Sequence, residues 1–170
     1  EHDILVVTSS GTGGLESAIS TFVPRNRKLL VLRNGAFGER LVEIARTHGI
    51  EVVELGGPWG SHLPIDRLEA MLRADPDIAA VGMIHHETSV GILNPVGEVG
   101  EITRRNGVLL IADAVSSLGA EDIDVTRDNV DVCVTSANKC LHAFSGLSSI
   151  CVDRNAWTVI EAEAPRSYYL

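Results

Sequence analysis

The chain has 170 residues, 45% of them apolar, and a formal net charge of −9 at pH 7. That length fits one domain with a core of its own, with room for a piece of a second. The acidic balance argues against nucleic acid or an anionic membrane as the main partner, and no apolar run approaches the ~20 residues of a membrane span.

Taken in chain order, the first apolar run, residues 4–7, reads as a strand. It leads through Ser9-Ser10-Gly11-Thr12-Gly13-Gly14 into a helix over 14–21. Residues 28–33 form a second strand ending at Arg33-Asn34-Gly35, followed by a helix over 37–48. A third strand spans 51–55, and Pro64 opens a helix over 65–74. The strand at 78–84 ends in His85-His86-Glu87-Thr88, and Pro95 opens a helix over 96–106. Strands at 108–112, 131–135 and 148–152 complete the pattern. Gly49 and Gly107 follow helical segments, where a left-handed C-cap favours glycine.

Strands that read as continuous apolar runs are covered on both faces, and their alternation with helices implies right-handed parallel crossovers. The expected fold is therefore α/β: a three-layer sandwich around a mostly parallel central sheet. Residues 1–160 are expected to form it, and 161–170 to begin a connection to a smaller domain of a longer protein. No basic-then-apolar leader precedes the first strand. Cys133, Cys140 and Cys151 are odd in number and read as free thiols of a cytoplasmic protein.

In open sheets of this class ligands sit at the carboxyl ends of strands, and these ends are polar here. The loop from Ser9 to Gly14 suits a phosphate, with hydroxyls at Ser10 and Thr12 and exposed N–H groups where the helix starts. It equally fits a tight turn with a Ser or Thr N-cap. No Lys follows its glycines, and Glu16 stands where a dinucleotide fingerprint needs its third Gly, so neither nucleotide motif is met. Asp113 ends a strongly apolar strand, a costly place for a carboxylate without a partner. That partner could be a cation, a ring N–H or a metal, or the residue could be a helix N-cap. Lys139 is one of only two lysines, with Lys28, and lies in the uncharged run Ser136-Ala137-Asn138-Lys139-Cys140-Leu141. Such surroundings can lower an ammonium pKa and free the amine as a nucleophile, although a lone lysine after a strand can also be structural. His85, His86 and Glu87 are adjacent, so their side chains diverge, and no zinc spacing is present. His62 and His142 read as solvated or packed, Trp59 and Trp157 as burying surface, and Phe37 as either core or a ligand-stacking ring.

Together these segments resemble the class V aminotransferases, a branch of the fold-type I pyridoxal 5′-phosphate (PLP) enzymes. The resemblance runs over nearly the whole chain. Its most specific part is Asp113-Ala114-Val115-Ser116-Ser117-Leu118-Gly119 followed by Ser136-Ala137-Asn138-Lys139. His85-His86-Glu87-Thr88-Ser89-Val90-Gly91-Ile92-Leu93-Asn94-Pro95 and Asn34-Gly35-Ala36-Phe37-Gly38 also carry it. Within the class, Glu87 to Pro95 and Ser136 to Cys140 look most like the branch acting on 2-aminoethylphosphonate and pyruvate, ahead of the alanine– and serine–glyoxylate branch.

The resemblance implies PLP as cofactor and a small amino donor with a 2-oxo acid acceptor as substrates. Lys139 would be the Schiff-base lysine and proton carrier, and Asp113 the partner of the pyridine nitrogen. Val115 and Phe37 would cover the two ring faces, and Thr88 would bond the 3′-oxygen. Gly11, Thr12 and Gly13, with Ser136 and Asn138, would hold the phosphate. Relatives carry Trp or His where this chain has Phe37, which keeps an aromatic face. The family is dimeric, so a homodimer is implied for the full-length protein. Its substrate-carboxylate arginine comes from the second domain, and Arg166 is not assigned that role. A PLP lyase or desulfurase, and an inactive PLP-fold protein, remain as other readings.

Overall fold

A computed structural model describes residues 1–160 and residue 166; the expected connection at 161–170 otherwise lies outside the described residues. Nine strands and five α-helices occur among them. The strands are β1 (His2–Val7), β2 (Lys28–Arg33), β3 (Glu51–Gly56), β4 (Ile78–Ile84), β5 (His86–Glu87), β6 (Ile92–Leu93), β7 (Leu109–Asp113), β8 (Val132–Ser136) and β9 (Ser148–Asp153). The helices are α1 (Gly11–Phe22), α2 (Ala36–Thr47), α3 (Leu68–Ala74), α4 (Val96–Arg105) and α5 (Arg154–Ile160), with a 3-10 turn at Ile65–Arg67 before α3.

Seven strands form one sheet in the order β1-β9-β8-β7-β4-β2-β3, and β5 and β6 pair as a small hairpin. The run from β8 to β3 is parallel, whereas β9 is antiparallel to both its neighbours. Strand β2 shows why the fold is a three-layer sandwich. Leu29 and Val31 face one apolar cluster with Ile19, Phe22 and Leu41, while Leu30 and Leu32 face another with Leu68, Leu72 and Val99. Side chains alternate across a strand, so a strand apolar on both faces needs helices above and below. Helices α1, α2 and α5 cover one face, and α3 and α4 the other.

The reversal at β9 positions the site. Ser148 at its start lies opposite both Ser136, the last residue of β8, and Val7, the last of β1. The loop after β1 and the turn after β8 therefore meet at one rim of the sheet. Helix α1 begins at Gly11, three residues before the sequence-based boundary, because Ser10 caps it and accepts the Gly13 N–H at 3.2 Å. The β5–β6 hairpin and α5 are additions to the sequence-based elements. Gly49 and Gly107 have φ of 68° and 66°, in the left-handed region expected of them. Trp157 packs edge-on to Phe22 at 5.2 Å. Trp59 departs from expectation: it is 55% exposed, and its indole N–H donates to Glu39 Oε1 at 2.8 Å, which lets the ring lie on the surface.

Candidate active site

A pocket of about 190 Å³ opens at the rim where β7 and β8 end. Gly11, Thr12, Phe37, Asp113, Val115, Ser136, Asn138 and Lys139 line it, together with Ser10, Arg40, His86 and Ser116. Of the residues singled out from sequence, Gly13 and Thr88 do not. The Gly13 N–H is engaged by the Ser10 cap, and Thr88 is exposed in the turn of the β5–β6 hairpin. A larger cleft of about 450 Å³ lies at the opposite rim, beside His2, Arg104, Asp131 and Asp153. Its carboxylates are engaged: Asp131 accepts the Leu110 N–H at 2.7 Å and Asp153 pairs with His2 at 3.5 Å. Ligands of such sheets bind at carboxyl strand ends, which singles out the smaller pocket.

Asp113 is the last residue of β7 and only 7% exposed. Its Oδ1 accepts the Val115 N–H at 2.8 Å, while its Oδ2 has no protein hydrogen-bond partner among the described residues. Burial pushes its pKa up to about 6 against the lowering effect of the Val115 bond; Glu87 raises it further, and Arg40 and Lys139 oppose. The pocket thus holds a half-satisfied carboxylate that gains from a cationic partner. Lys139 lies in the turn after β8, and its Nζ makes no hydrogen bond or ion pair among the described residues. Lys28 differs: its Nζ pairs with Asp75 at 2.8 Å and Glu51 at 3.3 Å.

At the other end of the pocket, α1 presents its amino terminus. The Gly11 and Thr12 N–H groups have no protein partner among the described residues, and no acidic residue occupies the first turn. A Cβ on Gly11 would meet Val115 Cγ2 at 2.7 Å, so only glycine lets α1 approach β7 this closely. Arg40 Nη1 donates to Thr12 Oγ1 at 3.3 Å, and its guanidinium lies over the Phe37 ring at 4.8 Å. Sequence reasoning missed Arg40. Its position three residues after Phe37 on one helix was the available signal, since such residues share a face.

The three adjacent polar residues after β4 point to different partners. His85 is buried, with Nδ1 at 3.0 Å from Ser117 Oγ, and burial lowers its pKa. His86 Nδ1 lies 3.1 Å from the Ser116 carbonyl, which can only accept, so this nitrogen carries the proton. Glu87, fully buried, turns to the start of α2. The three side chains thus diverge, each to its own partner.

The donor set fits pyridoxal phosphate at three points. A buried carboxylate has an oxygen to spare for a protonated ring nitrogen, an unpaired amine can hold an aldehyde, and a glycine-bearing helix start with an arginine beside it suits a phosphate. Residues 1–163 match the family model described as aminotransferase class-V. The chain is 38% identical over 161 residues to an uncharacterized aminotransferase of Methanocaldococcus jannaschii, covering 95% of this chain and 42% of that protein. It is 36% identical over 163 residues to a 2-aminoethylphosphonate–pyruvate transaminase of Pseudomonas putida, covering 96% and 44%. Among solved structures, an alanine–glyoxylate aminotransferase from Nostoc sp. matches with a TM-score of 0.88 at 30% identity, over 94% of this chain and 42% of that one. A ureidoglycine–glyoxylate aminotransferase from Bacillus subtilis matches with a TM-score of 0.89 at 27% identity, over 94% and 41%. The chain thus spans less than half the length of these relatives.

Proposed function

Since this chain belongs to the class-V aminotransferase family, we propose that it forms the cofactor-binding core of a PLP-dependent enzyme that moves an amino group from 2-aminoethylphosphonate, or a similar small amine, to pyruvate. The observation that carries this reading is the half-satisfied Asp113 carboxylate in one pocket with the unpaired Lys139 amine. When bound, the cofactor supplies an electron sink for the negative charge left on a substrate carbon that loses its proton. Asp113 would keep the sink effective, since a carboxylate beside the ring nitrogen favours its protonated form, by roughly 4 kcal/mol for two unit charges about 4 Å apart at an effective dielectric near 20. The Lys139 amine would hold the cofactor through its aldehyde, and would carry the proton from and back to the substrate as base and acid. Phe37 and Val115 would cover the ring faces. Gly11, Thr12, Ser136 and Asn138 would hold the phosphate, and Arg40 places a positive charge beside Thr12.

The relative that acts on 2-aminoethylphosphonate, at 36% identity, supports the phosphonate donor. The likeness to the Nostoc alanine–glyoxylate enzyme supports a second reading, with alanine and glyoxylate as substrates. The test adds PLP to the full-length protein, records the visible absorbance band, reduces with borohydride and maps the label by peptide mass. Label on Lys139, and its loss in Lys139→Ala, is expected; label elsewhere sinks the assignment. Alanine formed from pyruvate with 2-aminoethylphosphonate as donor, at a higher kcat/KM than glycine formed from glyoxylate and alanine, favours the first substrate pair; the reverse order favours the second.

A further inference from the structure

The start of α2 is held by a residue roughly fifty positions further along the chain. Gly35, the N-cap residue, has no side chain to cap the helix, so its first N–H groups need outside acceptors. Glu87, 0% exposed, supplies them: Oε2 accepts from the Phe37 N–H at 3.1 Å and the Gly38 N–H at 3.0 Å. Its other oxygen, Oε1, accepts from Ser89 Oγ at 2.5 Å and Ser89 N at 3.3 Å. The same Ser89 Oγ accepts the Ala36 N–H at 3.0 Å. Three successive N–H groups of α2 are therefore satisfied by two side chains of the 86–93 hairpin region. The space is matched to them: a Cβ on Gly35 would lie 2.5 Å from Glu87 Cδ and 2.6 Å from Ser89 Oγ.

We propose that Glu87 is a positioning residue for the cofactor ring, acting through Phe37. It fixes the backbone from which the Phe37 ring enters the pocket, and Ser89 completes the clamp. The inference rests on the reading of Phe37 as a ring-stacking residue. A helix start capped by its own side chain would hold helical geometry without fixing where α2 stands relative to β4. A buried carboxylate bonded across the sheet's rim fixes both. Phe37 and Asp113 are then held to one frame, since Glu87 follows β4 and β4 pairs with β7.

The test is a double-mutant cycle on PLP affinity in the full-length protein, with Glu87→Gln and Phe37→Leu singly and together. Glu87→Gln is expected to weaken PLP binding about tenfold in the unsubstituted background and less than about twofold in the Phe37→Leu background, because coupled residues are non-additive. The visible absorbance band of the bound cofactor is expected to shift in Glu87→Gln. Ser89→Ala, a milder change that removes one bond to Glu87 and the Ala36 cap, is expected to act in the same direction and guards against a misfolded Glu87→Gln. An equal loss in both backgrounds, or none, overturns the proposal. If Phe37→Leu alone leaves affinity unchanged, the stacking reading fails and takes the proposal with it; if Phe37→Leu weakens binding while Glu87→Gln and Ser89→Ala do not, only the proposal fails.

Discussion

Asp113 couples the pocket to pH. Its carboxyl is protonated more readily in the fold than in the unfolded chain, with a pKa raised from 3.8 to about 6 by burial. In the cofactor-free protein this favours the fold fully below about pH 4, and the advantage is lost as pH rises through about 6. Above that, an ionised carboxylate is buried beside one N–H donor at an expense of about 3 kcal/mol. Asp113→Asn is therefore expected to make the cofactor-free protein more stable at pH 8 by up to about that amount and to change little near pH 4; urea unfolding at the two pH values measures it. The substitution should also leave the enzyme almost without turnover, so stability and activity move oppositely. Asp131 at the far rim is raised to about 6 by burial as well, so some pH dependence persists in the variant. Asp113 and Lys139 could be picked out in the sequence because a charge after an apolar strand stands out. The roles of Glu87 and Arg40 were harder to read, since a lone charge beside a strand or on a helix ordinarily reads as solvated and their hydrogen-bond partners lie far away in sequence.

Helix α1 shows how close packing shapes the start of an element. Its 12 residues include Gly11 and Gly14, both pressed against the sheet: a Cβ on Gly14 would meet Ser148 Oγ at 2.7 Å, as one on Gly11 would meet Val115 Cγ2. Gly11→Ala is expected to push the helix start away from Val115, a β-branched side chain with little freedom to yield. PLP affinity should fall about tenfold, near 1.4 kcal/mol by fluorescence titration, with the far-UV circular dichroism retained. The sequence-based boundary placed the helix later because glycine is a poor helix former, whereas here close packing on the sheet and the Ser10 cap outweigh propensity. The β5–β6 hairpin escaped the same reasoning because each of its strands has only two residues.

Over the whole molecule, the alternation of apolar runs and helices was enough to read the layered α/β fold, since a strand apolar on both faces has few other solutions. Strand order was not legible, because nothing local in β9 distinguishes an antiparallel strand from a parallel one. The core tolerates little change at its centre. Leu110→Ala, in β7 between β4 and β8 and 0% exposed, is expected to destabilise the fold by about 2–5 kcal/mol in urea. Ile4→Thr, on the 62% exposed outer side of β1, is expected to change stability by less than about 0.5 kcal/mol in the same assay.

Among the described residues β1 pairs with β9 alone, which has a consequence in time. Val7 finds its partner only when Ser148 has been made. At roughly 5–20 residues per second, the ribosome needs on the order of 7–30 s to add the intervening residues. During that interval β1, which leads into the loop from Ser9 to Gly14, lacks its strand partner, while Arg40 and the Asp113 side of the pocket have already been made. The loop proposed to hold the phosphate is thus translated before Asp113 and Lys139, yet β1, which leads into it, is anchored only after both. A nascent chain halted shortly after Asp113 should hold its central strands but capture no PLP.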